Sequence, residues 1–368
     1  MAITAYPRAV AAMAFTAVCL FSVLATAQTS GQVRSQGRLI AHGEKPAPVT
    51  GSIGPLFEPR EEMRKLVQEI SAFARGYWRN FTVLTQNGMA LLTKSDAGDD
   101  EQALPARTYM RSIDGVLQEA LFYGLPEMGK PTIKDCRDAL LKLAGVAKRG
   151  GLKVLVLDYA EAPKTIDAAY RLSRAKGLVA FVAPAVGLEI NAVPRFPRYP
   201  MDANSVSIIS LKSIKNFLYI RDSSAFGRQD EFAMKLHDNN FDAVVVYTFH
   251  RTGEPLKRRA VETMKFKKLG ARWLVFAYLN VGAAESHRFY WKTGWREGSP
   301  LWISAPYPGD ADKYFVEYWR PEWRTLITGD TDSYVYGIVK QGFDGVVLDG
   351  VDAYRYFEGG MDAVEVVR

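Results

Sequence analysis

Short, apolar, β-rich segments alternate with amphipathic helical patterns along most of this chain, and that alternation restricts the fold more than any other feature. A strand, a crossover helix and a second parallel strand make one βα unit, so repeated units specify a parallel sheet. Strand candidates are residues 81–85 (FTVLT), 115–122 (GVLQEALF), 153–159 (KVLVLDY), 178–184 (LVAFVAP), 243–249 (AVVVYTF) and 272–280 (RWLVFAYLN). Two more are 314–319 (YFVEYW), or the nearby LWISA, and 345–349 (GVVLD). Helical patterns fall at 132–149, 164–176, 228–239, 254–269 and 330–341. Eight such strands close a (β/α)8 TIM barrel of the α/β class, which is the predicted fold. Few residues follow the last strand, leaving little room for an eighth helix. The helix predicted over 58–76 presents Met63, Leu66, Val67, Ile70 and Phe73 on one face, so it fills that position or caps the barrel floor.

The ends of the chain read differently. Residues 9–25 form an apolar run behind Arg8, and Ala25-Thr26-Ala27 supplies a small-x-small cleavage pattern, so 1–27 is read as a signal peptide. Residues 28–56 are rich in Gly, Pro, Ser and Gln without hydrophobic period and are read as a flexible tether, with the barrel occupying 57–368. A secreted or periplasmic protein is expected, with no membrane span after leader removal, because no later segment holds about 18 consecutive apolar residues. The formal charge of +7 comes from interspersed residues, and the clusters at 257–259 and 265–268 fit solvated helix faces; no nucleic-acid partner is expected. Cys136 lies in a helical pattern beside Leu140 and Leu141 and reads as a buried structural residue. The four histidines are scattered, and no phosphate loop or Gly-x-Ser-x-Gly elbow is present, so no metal and no cofactor is expected. A monomer is expected.

A barrel needs no special side chains for stability at the C-terminal ends of its strands, so polar groups collected there are candidates for chemistry. Asp349 ends the strand of GFDGVVLDGVDAY and is the first catalytic candidate, with Asp352 three residues on. Glu119 interrupts an apolar run, where an ionisable group is costly without a partner or a task. Its neighbours Leu117, Ala120, Leu121 and Phe122 would desolvate it, which suits a general acid, leaving Asp349 as base or nucleophile. Asn87, Asp158, Tyr247, Asn280, Glu285, Arg288 and Trp319 complete the rim as substrate-binding candidates. Carboxylates, amides and aromatics are the inventory of sugar chemistry: acids move protons, rings stack on pyranoses, and amides or guanidinium groups bind hydroxyls.

GARWLVFAYLNVGAAESHRFYW, YFVEYWRPEW and GFDGVVLDGVDAYRYFE, with LTQNG, IDGVLQEALFYG and VLVLDYA, resemble motifs of secreted TIM-barrel proteins related to glycoside hydrolase family 114, the endo-α-1,4-polygalactosaminidases. The resemblance covers about residues 77–358. It implies a polysaccharide substrate of amino sugars and a catalytic pair: an Asp ending a Gly-Val-x-x-Asp strand, which maps onto Asp349, and a Glu that maps onto Glu119 through a circularly permuted strand order. The chain departs from relatives at Tyr247, Ala283, Ser286 and His287, where they often carry acidic residues or Asp-Tyr. Those losses make a catalytically weak or inactive polysaccharide-binding barrel the alternative expectation.

Overall fold

The computed structural model describes residues 57–94, 104–251, 253–307 and 310–359. The leader at 1–27 and the tether at 28–56 lie outside the described residues. Eight parallel strands form the central sheet: β1 (Thr82–Gln86), β2 (Gly115–Glu119), β3 (Lys153–Tyr159), β4 (Val179–Ala183), β5 (Leu218–Ile220), β6 (Ala243–Tyr247), β7 (Leu274–Asn280) and β8 (Gly345–Asp349). Their order is β4-β3-β2-β1-β8-β7-β6-β5, with β4 and β5 adjacent but unpaired, so this is a nearly closed (β/α)8 barrel. Helices Lys134–Arg149, Pro163–Ala175, Gln229–His237, Arg258–Met264 and Tyr334–Gln341 lie between strands.

The strands are apolar on both faces because the interior packs on one side and the helix ring on the other. Val83, Leu84, Val116, Leu117, Val244 and Val346 are all fully buried. At Gly345 a Cβ would sit 2.2 Å from the Thr82 carbonyl oxygen, so only glycine lets β8 approach β1 this closely.

The N-terminal helix, Pro59–Tyr77, buries Met63, Leu66, Val67 and Ile70 as its pattern predicted. It runs against the outer ring beside the helices Arg107–Ser112, Pro321–Thr328 and Tyr334–Gln341, in the eighth-helix position. Ser71 Oγ donates to the Ser112 carbonyl at 2.6 Å, and Arg324 reaches Glu62 and Glu69 at 2.9 and 3.1 Å.

One strand assignment is corrected. Neither 314–319 nor LWISA enters the barrel: Ile303–Tyr307, Asp310–Val316 and Ala283–Glu285 pair antiparallel in a separate three-stranded sheet. Residues 310–312 of that hairpin are exposed, which suits a sheet at the rim and not a barrel wall buried on both faces. The missing barrel strand is β5, only three residues long. The helix expected at 254–269 is confined to Arg258–Met264, preceded by a two-residue pairing of Phe249–His250 with Glu254–Pro255. Just before β6, Asp242 and Lys267 form an ion pair at 2.6 Å with both side chains fully buried.

Candidate active site

The last residues of the strands gather at one end of the barrel. Gln86 ends β1, Glu119 ends β2, Tyr159 ends β3, Arg221 follows β5, Tyr247 ends β6 and Asp349 ends β8. Because β2 and β8 flank β1, the two predicted acids stand on either side of the Gln86 position.

Glu119 is half-buried and accepts hydrogen bonds from Asn87 Nδ2 at 2.7 Å and from the Tyr159 hydroxyl. Asn87 Oδ1 receives Gln118 Nε2 at 3.1 Å and the Glu119 amide at 3.2 Å, so one side chain fixes both the strand end and its carboxylate. The apolar pocket expected around this acid is not there, since Leu117, Leu121 and Phe122 are buried in the core while the carboxylate meets an amide and a phenol. Ala120, immediately after Glu119, has a φ of 48°, and Asn87 has 57°. Left-handed backbone at Ala costs about 1 kcal/mol and is held here by the surrounding bonds.

Asp349 accepts from the Tyr278 hydroxyl and lies 3.9 Å from Arg221 Nη1. The Arg221 guanidinium stacks 3.8 Å from the Tyr278 ring centroid and donates to the Tyr219 hydroxyl at 3.5 Å. Tyr219 in turn donates to Gln86 Oε1 at 2.8 Å. Burial is the main reason the Tyr219 phenol titrates above its usual range, and the charges of both Glu119 and Asp349 push it further. The Tyr219 hydroxyl therefore lies in the field of both acids. After Asp349 the chain turns at Gly350, where φ is +70° and a Cβ would meet Asn280 Oδ1 at 2.4 Å.

A third acid, Glu285, comes from the separate sheet. Its carboxylate accepts from Tyr247 at 2.9 Å, is bonded by Arg288 and lies 3.4 Å from His287 Nε2; burial raises its pKa. Arg288 stacks over Tyr247 at 4.2 Å. Tyr307, from the same sheet, has its phenol pushed up by burial first and then by Asp352, Asp349 and Glu285, which places its ring beside the acidic cluster.

The remaining predicted positions fall less favourably. Asp158 was expected to line the pocket, yet it is fully buried: Oδ1 accepts from the Phe122 and Tyr123 amides at 2.9 and 3.2 Å, so the carboxyl pins the loop after Glu119. Asn280 lies level with Asp349, but its Oδ1 is taken by the Gly282 and Ala283 amides and holds a turn. Trp319 does not join the cluster; it packs edge-on against Phe57 and Phe357, each at 4.7 Å, because its segment is not a barrel strand. Asp352 is half-buried beside Tyr307. Sequence reasoning missed Tyr219, Arg221, Tyr278 and Tyr307. The signal for the first two was the apolar triplet LYI followed by Arg221 and Asp222.

Residues 225–365 match glycoside-hydrolase family GH114. Over that stretch the chain is similar to GH114 proteins. The match takes in Tyr278, Glu285, Arg288 and Asp349, whereas Glu119 and Arg221 precede it. An uncharacterized protein of Deinococcus radiodurans is 38% identical over 120 residues, covering 33% of this chain and 36% of its own length. Uncharacterized proteins of Methanocaldococcus jannaschii and Thermotoga maritima are 35% and 29% identical over 139 and 136 residues, covering 38% and 37% of this chain and 38% and 40% of theirs. The chain thus spans well under half the length of the curated relatives it matches. Among its described residues, no group of three or more His, Cys, Asp or Glu is placed to hold a metal ion, and no helix is long and apolar enough to cross a membrane.

Proposed function

We propose that this chain is a glycoside hydrolase that cleaves an amino-sugar polysaccharide in the manner of an endo-α-1,4-polygalactosaminidase, outside the cytoplasm in a secreted or periplasmic setting. The observation that supports it is the pairing at the rim: two carboxylates on the strands either side of β1, each held by a tyrosine hydroxyl and within the field of one shared phenol. In this reading Glu119 is the general acid that protonates the leaving oxygen, and Asp349 is the base or nucleophile on the other side of the sugar. Arg221 at 3.9 Å complements the charge of Asp349, and Tyr278 fixes its orientation. The GH114 match over 225–365 supports the reading for the half of the site that holds Asp349.

The test is release of reducing ends from partially deacetylated galactosaminan by the mature protein, beside Asp349→Asn and Glu119→Gln. Activity lost in both variants with the fold retained supports the proposal, and equal product from all three proteins removes it. A second reading, binding without cleavage, is favoured by Ala283 and Tyr247 and by the engagement of Glu285 with Tyr247 and Arg288. Saturable glycan binding with no reducing ends from the unmodified protein would select it.

A further inference from the structure

The opposite end of the barrel carries a cavity of about 1040 Å³ at the N-terminal ends of β1, β2 and β3. Its base is apolar, formed by Met110, Ile113 and Leu211, all buried. Around it stand the exposed side chains of Arg79, Arg107, Arg111, Arg149 and Lys212, and none of them makes an ion pair or a side-chain hydrogen bond among the described residues. Among the described residues the one acid lining the cavity is Asp114, and it is already engaged by Arg75 at 2.7 Å and the Val83 amide at 2.8 Å.

Other exposed cations do have a counter-charge, as in Lys134–Asp138, Arg174–Asp202 and Lys268–Asp238, whereas the five gathered round this cavity leave a local excess of positive charge among the described residues. Like charges gathered round a concave, low-dielectric wall repel one another and focus a positive potential into the cleft. Guanidinium groups present planar forks that match carboxylate, sulfate or phosphate oxygens. From the clustering over an apolar base of five cations that have no ion pair among the described residues, we infer that this floor cavity is a second binding site, separate from the catalytic rim, for an anionic polysaccharide segment.

The occupant follows from shape and chemistry. A recess of this volume accepts a chain and not a flat bilayer surface. The aromatic ring in its lining, Phe81, is buried, so the site has no exposed platform on which nucleic-acid bases could stack. Ile209, exposed in the lining, offers apolar contact to a sugar ring face while the cations hold acidic substituents. A five-residue strand separates floor from rim by roughly 17 Å at about 3.4 Å per residue, so the site stands whether or not the rim hydrolyses anything.

The experiment is affinity electrophoresis of the full chain in gels containing polygalacturonate, with neutral dextran as reference. Anionic phosphatidylglycerol vesicles and single-stranded DNA serve as competitors. Arg107→Glu/Arg149→Glu and the milder Arg107→Gln/Arg149→Gln both alter exposed side chains, and Asp349→Asn reports on the rim. The expected result is retardation by polygalacturonate that weakens as salt shortens the screening length from about 10 Å to about 3 Å. The Glu pair should bind roughly tenfold or more weakly, and the Gln pair less so, because each reversal changes the local charge by two. Unfolding temperatures should be unchanged, and Asp349→Asn should be retarded like the parent. No retardation, full retardation of the Glu pair, loss in Asp349→Asn, or stronger competition by vesicles or DNA than by free polygalacturonate would each overturn the inference.

Discussion

Asp158→Asn tests the reassignment of a residue that looked like a pocket acid and is instead a buried anchor. The Asp158 carboxyl is fully buried, Oδ1 takes two backbone amides, and Oδ2 has no partner among the described residues. Burial pushes its pKa up to about 7, against the opposing effect of the Phe122 and Tyr123 amides, from an ordinary 3.8. The sign follows from proton counting. Between those two values the folded chain holds a proton that the unfolded chain has released, so the unfolded state binds fewer protons and stability falls as pH rises. Above about 7 both states are ionised and the loss is complete. Integrating from pH ~5 to pH ~8 at about 1.36 kcal/mol per unit gives a loss of about 2.6 kcal/mol attributable to this group alone. Asparagine keeps the Oδ1 acceptor and cannot ionise, although its amide protons meet no partner, a constant cost of about 1–3 kcal/mol. The assay is urea unfolding of parent and variant at several pH values, read as the difference between them, in which the other titrations cancel. The variant should gain on the parent by about 2–3 kcal/mol over that pH range. A difference that stays constant would mean that Asp158 remains in one protonation state throughout and would refute the reasoning.

Four further outcomes are expected. Asp349→Asn and Glu119→Gln should each lower kcat on galactosaminan by about 10²–10⁴ while leaving the unfolding midpoint nearly unchanged, measured by reducing-end release. Arg221→Met should reduce kcat more than it raises KM in the same assay, since it removes the cation 3.9 Å from Asp349 that complements the carboxylate's charge. Lys267→Met should destabilise by about 3–5 kcal/mol in denaturant titration, because it strands Asp242 in the interior. Gly345→Ala should fail to fold or lose several degrees in Tm, because its Cβ would fall 2.2 Å from the Thr82 carbonyl oxygen and push β8 off β1.

Seven of the barrel strands were legible because each is an apolar run buried on both faces and bounded by turn residues; 153–159 and 345–349 match to the residue. The exception is instructive. YFVEYW carries as strong a β pattern as GVVLD, and its first three residues do end a strand, but pattern alone does not say which sheet a strand joins. β5 escaped notice because three residues, Leu218, Tyr219 and Ile220, are too few for periodicity to register, and they follow a long turn-rich stretch. A strand that short can complete the wall because its neighbour β6 pairs with all three of its residues and supplies the register.

The site was legible only where chemistry and strand position coincide in the sequence. Asp349 and Glu119 stand at strand ends, so the fold places them whatever surrounds them, whereas Asp158 is one residue short of its strand's end and alternation turns it away from the rim. What orients the two acids is a set of phenols and one guanidinium supplied by β3, β5 and β7, and tyrosine in a buried strand reads as core until its hydroxyl partner is known. Missing β5 meant missing Arg221, the one cation against Asp349 among the described residues, and with it the asymmetry between the two carboxylates: Asp349 faces a positive charge, while Glu119 is held by a neutral amide and a neutral phenol. That difference in partners supports giving proton donation to Glu119 and the anionic role to Asp349, and it predicts that Tyr159→Phe and Arg221→Met will differ in kind. Removing the phenol should slow cleavage of a poor leaving group more than of an activated aryl one, and removing the guanidinium should slow both alike; the same pattern in both variants would reverse or void the assignment.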